Sequence, residues 1–267
     1  MSERRAWHHV VKDISFGFGS MLALPFAMRA LTRVPHGDHQ HPVLILPGFM
    51  ASDPWMCPLH RYLSRIGYRS YPWLLGVNLG YSYVYDIEEL ILRRIRQVLE
   101  DSGRPSLTLI GWSLGGIYAK ALARKHPELI RDVIIMGSAV SGDVTNVALF
   151  STYEWLTGMG DGGTALSRKL RELSPPLEGV PITSIYSGND GLVPIANAVH
   201  AEGPLVQNVH VRATHVGMPY DPFVYFLIAH RLAQSSVVDW KPLDVEALRH
   251  SFITHRSWFR RKKCQDR

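Results

Sequence analysis

From residue 40 onward, short apolar runs alternate with stretches in which apolar side chains recur every three or four positions. Val43-Leu44-Ile45-Leu46 is an uninterrupted apolar run between His41-Pro42 and Pro47-Gly48, the pattern of a strand buried on both faces. Tyr68–Tyr71, Ser106–Ile110, Asp132–Met136, Ile182–Tyr186 and Val209–Arg212 are predicted as further strands. Between them, Ile87, Leu90, Ile91, Ile95 and Leu99 keep the spacing of one helical face, so Asp86–Leu99 is predicted as an amphipathic helix. Pro58–Gly67, Leu114–Lys125 (stopped near His126-Pro127) and Pro222–Leu232 complete the helices. Strands alternating with helices imply an α/β fold with a mostly parallel sheet. Ser141–Gly179 breaks this rhythm with Gly, Thr, Trp and Tyr, then Pro175-Pro176, and is read as a small cap insertion at about 141–180 within a domain spanning 41–235.

Composition narrows the class. At 267 residues and 46% hydrophobic, the chain is long enough for one sizeable core. Two distant cysteines, Cys57 and Cys264, exclude a disulfide scaffold and favour a reducing compartment. The net charge of +6 is partly local, because Arg256, Arg260, Arg261, Lys262 and Lys263 crowd the C-terminal segment 236–267. That segment reads as a solvated basic tail, or as an anionic-lipid patch in which each basic residue contributes about 1 kcal/mol. Nucleic acid is not an expected partner, since no recognition motif accompanies the basic run.

The segment 1–40 is apolar and basic. Ile14–Met28 carries no charge and lies between Lys12 and Arg29, but it is shorter than the ~20 residues of a spanning helix. A helix packed on the domain and a membrane-surface anchor are the two leading readings. Secretion ranks below them, because Arg29 spoils the cleavage site. Location is therefore expected to be cytoplasmic, with peripheral membrane contact open.

The chemistry enters at Gly111-Trp112-Ser113-Leu114-Gly115, between the Ser106 strand and the Leu114 helix. A G-x-S-x-G pentapeptide at a strand-to-helix turn is the pattern of a nucleophile elbow, in which the serine is lifted above the sheet on strained backbone. Gly111 and Gly115 supply the missing volume that lets helix and strand meet. A serine hydroxyl needs a base, and the base needs a group to orient it. Ser187-Gly188-Asn189-Asp190 follows one strand and Ala213-Thr214-His215 follows another, so Ser113, Asp190 and His215 all fall at the C-terminal edge of the sheet. Asp190 has an alternative reading as a residue that only closes a turn. His126, His200 and His210 read as surface or strand positions. His36, His39 and His41 lack carboxylate or cysteine partners at ligand spacing and read as a polar linker, so neither metal nor cofactor is expected.

With Leu46-Pro47-Gly48-Phe49-Met50, the elbow, Asp190 and Thr214-His215-Val216-Gly217-Met218 in place, the chain resembles the α/β-hydrolase superfamily, and within it bacterial lipases and esterases, over about residues 40–235. The resemblance implies an eight-stranded, mostly parallel sheet with Ser113 as nucleophile, His215 as base and Asp190 as its acid. Asp143 is the competing acid, because some relatives place it after the preceding strand. Backbone N–H groups of Leu114 and Phe49, with Met50 as the alternative to Phe49, are the expected oxyanion donors. Pro47-Gly48 replaces the family's frequent His-Gly at that loop.

Hydrolysis of a carboxylic ester through an acyl-enzyme is the leading reading, with a neutral ester or acylglycerol as substrate. Transfer of the acyl group to another alcohol or thiol, and a non-catalytic lipid- or protein-binding scaffold, are the alternatives. Trp73–Leu79 and the cap residues Phe150, Tyr153, Trp155, Leu156 and Met159 read equally as an acyl pocket or as ordinary core.

Overall fold

A computed structural model describes residues 40–80, 86–140, 164–234 and 240–254, with residues 13, 15–17, 19–22, 24, 25, 27, 28, 31 and 34 of the N-terminal segment. The chain runs from helix α1 (described at 13, 15–17, 19–22, 24, 25 and 27) through β1 (Pro42–Leu46), α2 (Asp53–Arg65), β2 (Arg69–Tyr71) and α3 (Ile87–Ser102). It continues through β3 (Leu107–Trp112), α4 (Leu114–Lys125), β4 (Ile130–Met136), α5 (Thr164–Leu173) and β5 (Ile182–Ser187). The one-turn α6 (Ile195–Ala198), β6 (Val206–Val211), α7 (Pro222–Leu232) and α8 (245–254) complete it. Every strand pairing is parallel, in the order β2-β1-β3-β4-β5-β6.

Side chains alternate across the sheet with period two, and each face builds its own core. Leu44, Leu46, Leu107, Leu109, Val133 and Ile135 face α3 and α4, where Ile91, Ile95, Val98 and Ile117 meet them. Val43, Ile45, Ile110, Ile134, Met136 and Val209 face the other way, toward α2 and α7. Burying each of these large side chains contributes roughly 1.5–3 kcal/mol before conformational entropy is counted. The second core also takes Leu24, Met28 and Leu31 from the N-terminal segment and packs Leu243, Leu248 and Phe252 from the C-terminal one. The Tyr62 hydroxyl donates to the Leu31 carbonyl at 3.2 Å.

The sheet has six strands among the described residues, not the eight that the resemblance implies. Ahead of β1, the described residues from 13 to 27 are helical and bury Asp13, Gly17, Leu24 and Ala27, a helical rather than an alternating spacing, and the buried Met28 and Leu31 beyond them lie in turns. No described segment before β1 is therefore free to lengthen the sheet. Helix α2 begins a turn before Pro58, because Pro54 occupies its first turn and Pro58 is tolerated inside it. Edge strand β6 begins three residues earlier than predicted; Val206–Asn208 are only half buried and lack the apolar signal of Val209. Of the expected cap, residues 141–163 lie outside the described residues, and α5 buries Leu170 and Leu173 in the first core.

The order of connection places the site. From β1 the chain steps outward to β2, then returns across β1 to β3, so the sheet direction switches between β1 and β3. Loops beyond the C-terminal ends of two such strands diverge and leave a crevice.

Candidate active site

Ser113 sits at that crevice, between β3 and α4, with φ 54° and ψ −121°. A non-glycine residue in this region costs about 1–3 kcal/mol and persists only where its surroundings hold it. The Ser113 N–H donates to Met136 O at 2.8 Å, and its carbonyl accepts from the Ser138 hydroxyl at 2.6 Å and from the Gly116 N–H at 3.0 Å. The glycines around it are required by space. A Cβ at Gly111 would lie 2.5 Å from backbone atoms of Gly115 and Gly116, and one at Gly115 would lie 2.2 Å from Leu46 O. Helix α4 is thus pressed onto the ends of β1 and β3, and its first turn begins directly after Ser113 at the crevice.

Asp190 and His215 lie together. His215 Nδ1 and Asp190 Oδ2 are 2.8 Å apart, and both side chains are almost fully buried. The other Asp190 oxygen accepts from the Leu192 and Val193 amides at 2.9 and 2.7 Å. The turn-closing and His-facing readings of Asp190 therefore coexist, one on each oxygen. Burial disfavours the charged imidazole, but the Asp190 charge and hydrogen bond, with help from the Asp13 charge, raise the His215 pKa above its ordinary value. Trp112, adjacent to Ser113, donates from its indole to His215 O at 3.1 Å, and its ring lies 5.7 Å from the imidazole. No direct hydrogen bond joins the Ser113 hydroxyl to His215 among the described residues, a common condition in apo sites whose catalytic contacts tighten with substrate.

The loop after β1 runs against the serine. A Cβ added at Gly48 would stand 3.1 Å from Ser113 Cβ. The Met50 N–H is occupied by Asn78 O at 2.7 Å, and the Ala51 N–H by Gly48 O at 3.1 Å. Asn78 locks this loop: its Nδ2 donates to Pro47 O at 2.8 Å, while its Oδ1 accepts from the Gly80 amide and the Tyr118 hydroxyl, each at 3.1 Å. Of the stretch read as pocket or core, Trp73 is core, whereas Leu74, Val77 and Leu79 are exposed large hydrophobic residues.

Sequence reasoning missed Asn78, Ser138 and Asp13, whose carboxylate binds amides of both the Asp190 and the His215 loops. Ser138 and Asn78 have no local pattern to mark them; Asp13 is visible only as the acid that precedes an apolar run. His200, read as a surface or strand position, is buried against Lys120. His41 is buried, its Nε2 2.9 Å from the Thr108 hydroxyl. Asp143, His36, His39, Phe150, Tyr153, Trp155, Leu156, Met159 and the basic cluster from Arg256 to Lys263 lie outside the described residues. Among the described residues, no group of three or more His, Cys, Asp or Glu is placed to hold a metal ion, and no helix is long and apolar enough to cross a membrane.

The family described as alpha/beta hydrolase fold matches residues 38–159. Among solved structures, the chain is similar to Aspergillus fumigatus lipase B, with 18% identity, a TM-score of 0.56 and coverage of 81% of this chain and 58% of that one. It thus spans less than two thirds of that lipase's length. It is also similar to Paleococcus ferrophilus monoacylglycerol lipase, at 13% identity and a TM-score of 0.53 over 74% of this chain and 95% of that one. Bacillus licheniformis lipase BlEst2 is similar at 14% identity and a TM-score of 0.51, over 75% of this chain and 95% of that one. A search of curated proteins returns no match.

Proposed function

The chain has the α/β-hydrolase fold, and from that premise we propose that it is a serine hydrolase of carboxylic esters. The observation that carries this reading is the 2.8 Å His215–Asp190 pair at the same sheet edge as a serine in a strained elbow. In the proposed reaction, Ser113 Oγ attacks the ester carbonyl carbon while its proton passes to His215 Nε2. Asp190 accepts from His215 Nδ1–H, holding the productive tautomer and favouring the imidazolium that forms. The carbonyl oxygen gains the negative charge and is met by the N–H groups of Leu114 and Phe49. Met50 is the weaker candidate, since Asn78 O already holds its N–H. Collapse breaks the bond to the alkoxy oxygen, which leaves as the alcohol with the proton from His215. Water then attacks the acyl-Ser113 carbonyl by the same route and releases the acid.

An ester or acylglycerol substrate is supported by the names of the similar structures, two lipases and a monoacylglycerol lipase. It is supported too by exposed Leu74, Val77 and Leu79 beside the oxyanion loop. The test uses p-nitrophenyl esters of graded chain length and a fluorophosphonate probe. Ser113→Ala and His215→Ala should each lower turnover by about 10⁴- to 10⁶-fold with the fold retained. Undiminished turnover by purified Ser113→Ala would end the proposal.

Peripheral contact with a lipid surface belongs to the same reading. Phe16, Met21 and Leu22 are exposed on α1, with Leu22 opposite its buried positions and Phe16 and Met21 flanking them, between the basic residues Lys12 and Arg29 of the sequence. Flotation with anionic vesicles should carry the protein upward, and Leu22→Asp should weaken this; equal partition with and without vesicles refutes it.

A further inference from the structure

Asp13 enters the site from the far end of the chain. It is 2% exposed, and among the described residues its carboxylate is engaged by backbone amides alone. Oδ2 accepts from Gly191 N–H at 2.8 Å and from His215 N–H at 2.7 Å, while Oδ1 accepts from Val216 N–H at 2.8 Å. The Thr214 hydroxyl donates to the Asp13 carbonyl at 3.3 Å. Gly191 belongs to the loop that carries Asp190, and Val216 to the loop that carries His215. One carboxylate therefore spans both loops. Helix α1 lies directly on the second: one turn beyond Asp13, a Cβ at Gly17 would stand 2.7 Å from the Val216 side chain.

We propose that Asp13 is a positioning residue that ties the Asp190 and His215 loops together, making the N-terminal helix part of the catalytic apparatus. The inference rests on the serine-hydrolase reading for its kinetic consequence only. Hydrogen bonds from amides to a carboxylate are about twice as strong as those to a neutral acceptor. Catalytic pairs are sensitive to small displacements, since a 1 Å misplacement costs about 100-fold in rate. The tie fixes the two loops against each other at the one place where Asp190 must reach Nδ1. Among the described residues the charged groups acting on the imidazole are Asp190, from the loop after β5, and Asp13, from α1; both favour its protonated form.

Asp13→Asn in the full-length protein is the test. It keeps the size of the side chain but removes the charge and turns one acceptor into a donor aimed at an amide. Turnover of p-nitrophenyl butyrate is measured across pH, with active sites counted by fluorophosphonate titration, and the His215 imidazole is titrated by NMR. We expect kcat per active site to fall about 10- to 100-fold, with KM nearly unchanged. The acid limb of kcat/KM and the NMR titration of His215 should both move to lower pH. A residue that only stabilised the fold would lower the unfolding midpoint and leave kcat per active site and the His215 titration in place; that result overturns the proposal. Should Asp13→Asn fail to fold, Asp13→Ser, a small uncharged acceptor, is read by the same two quantities. If the wild type cleaves no ester and Ser113 takes no probe, the hydrolase reading falls, while the NMR titration still decides the tie.

Discussion

Replacing Asn78 with alanine asks whether the loop after β1, the proposed oxyanion loop, is held in place by a side chain from outside it. Asn78 is 1% exposed and bonds through both ends of its amide. Alanine keeps the two backbone bonds, Asn78 N–H to Ala51 O at 2.8 Å and Met50 N–H to Asn78 O at 2.7 Å. It removes the side-chain bonds to Pro47 O, Gly80 N–H and the Tyr118 hydroxyl. Each is a net contribution of about 0.5–1.5 kcal/mol, so unfolding free energy should drop by roughly 2–4 kcal/mol. The kinetic effect follows from where the bonds lead. Pro47 O anchors the residue two before Phe49, whose N–H is the proposed donor, and losing one such donor outright costs about 100- to 1,000-fold. A loosened rather than absent donor should lower kcat about 10- to 100-fold with KM little changed. Urea unfolding followed by tryptophan fluorescence and p-nitrophenyl butyrate kinetics on the same preparation measure both. Asn78→Asp locates the effect, since it retains acceptors for Gly80 and Tyr118 but sets an oxygen against Pro47 O. If Asn78→Ala loses stability while kcat stays at the wild-type level, the backbone pairs alone fix the loop and the reasoning fails.

Three further outcomes concern the titratable groups. In the proposed reaction His215 must be neutral to accept the serine proton, and its pKa is raised, so kcat/KM should rise with pH through a midpoint above about 6.5. Asp190→Asn removes the main raising influence, so it should move that midpoint down and cost about 10⁴-fold in kcat; a midpoint that does not move refutes the pairing. Lys120, buried on α4 with Nζ 2.9 Å from His200 Nδ1, has its pKa pulled down to about 7 by burial, then by Arg124, and His200 is pulled to about 2 by burial and by Lys120. Between pH ~7 and the unfolded value near 10.5 the folded chain binds fewer protons than the unfolded one, so this site's contribution to stability improves as pH rises and is lost as pH falls through about 7. Lys120→Met should therefore stabilise by about 1–3 kcal/mol at pH 6 and by less at pH 10. A gain that is equal at both pH values, measured by urea unfolding, would contradict the burial argument.

The parts of this molecule legible in its sequence are those whose physics is local. A serine forced to φ 54° between a strand and a helix needs glycines on both sides, and that need is written as Gly111-x-Ser113-x-Gly115. Asp190 and His215 were legible as polar residues in loops beyond apolar strands. The strand count was less so, because an apolar stretch such as Ile14–Met28 does not declare which neighbour will bury it. In the structure its described residues choose a helical stripe against α2 and the His215 loop instead of a place at the sheet edge. His200 looked like a surface residue because its partner Lys120 is 80 positions away and is itself of a type rarely buried.

Asn78, Ser138 and Asp13 were invisible for a shared reason. Each offers a polar side chain to backbone atoms of at least one distant segment, and any loop can supply such a group. Reactivity demands an unusual backbone or an unusual neighbour, and both leave short-range marks in a sequence. Positioning demands only an acceptor or donor at the right place in space. Asp13 meets the His215 amide across 202 positions and the Gly191 amide across 178. No window short enough to define a motif contains both ends of such a bond. The candidate reacting groups of a site like this one can therefore be read one strand end at a time, whereas residues such as Asp13, which bonds amides of the Asp190 and His215 loops, emerge only once the chain has closed on itself.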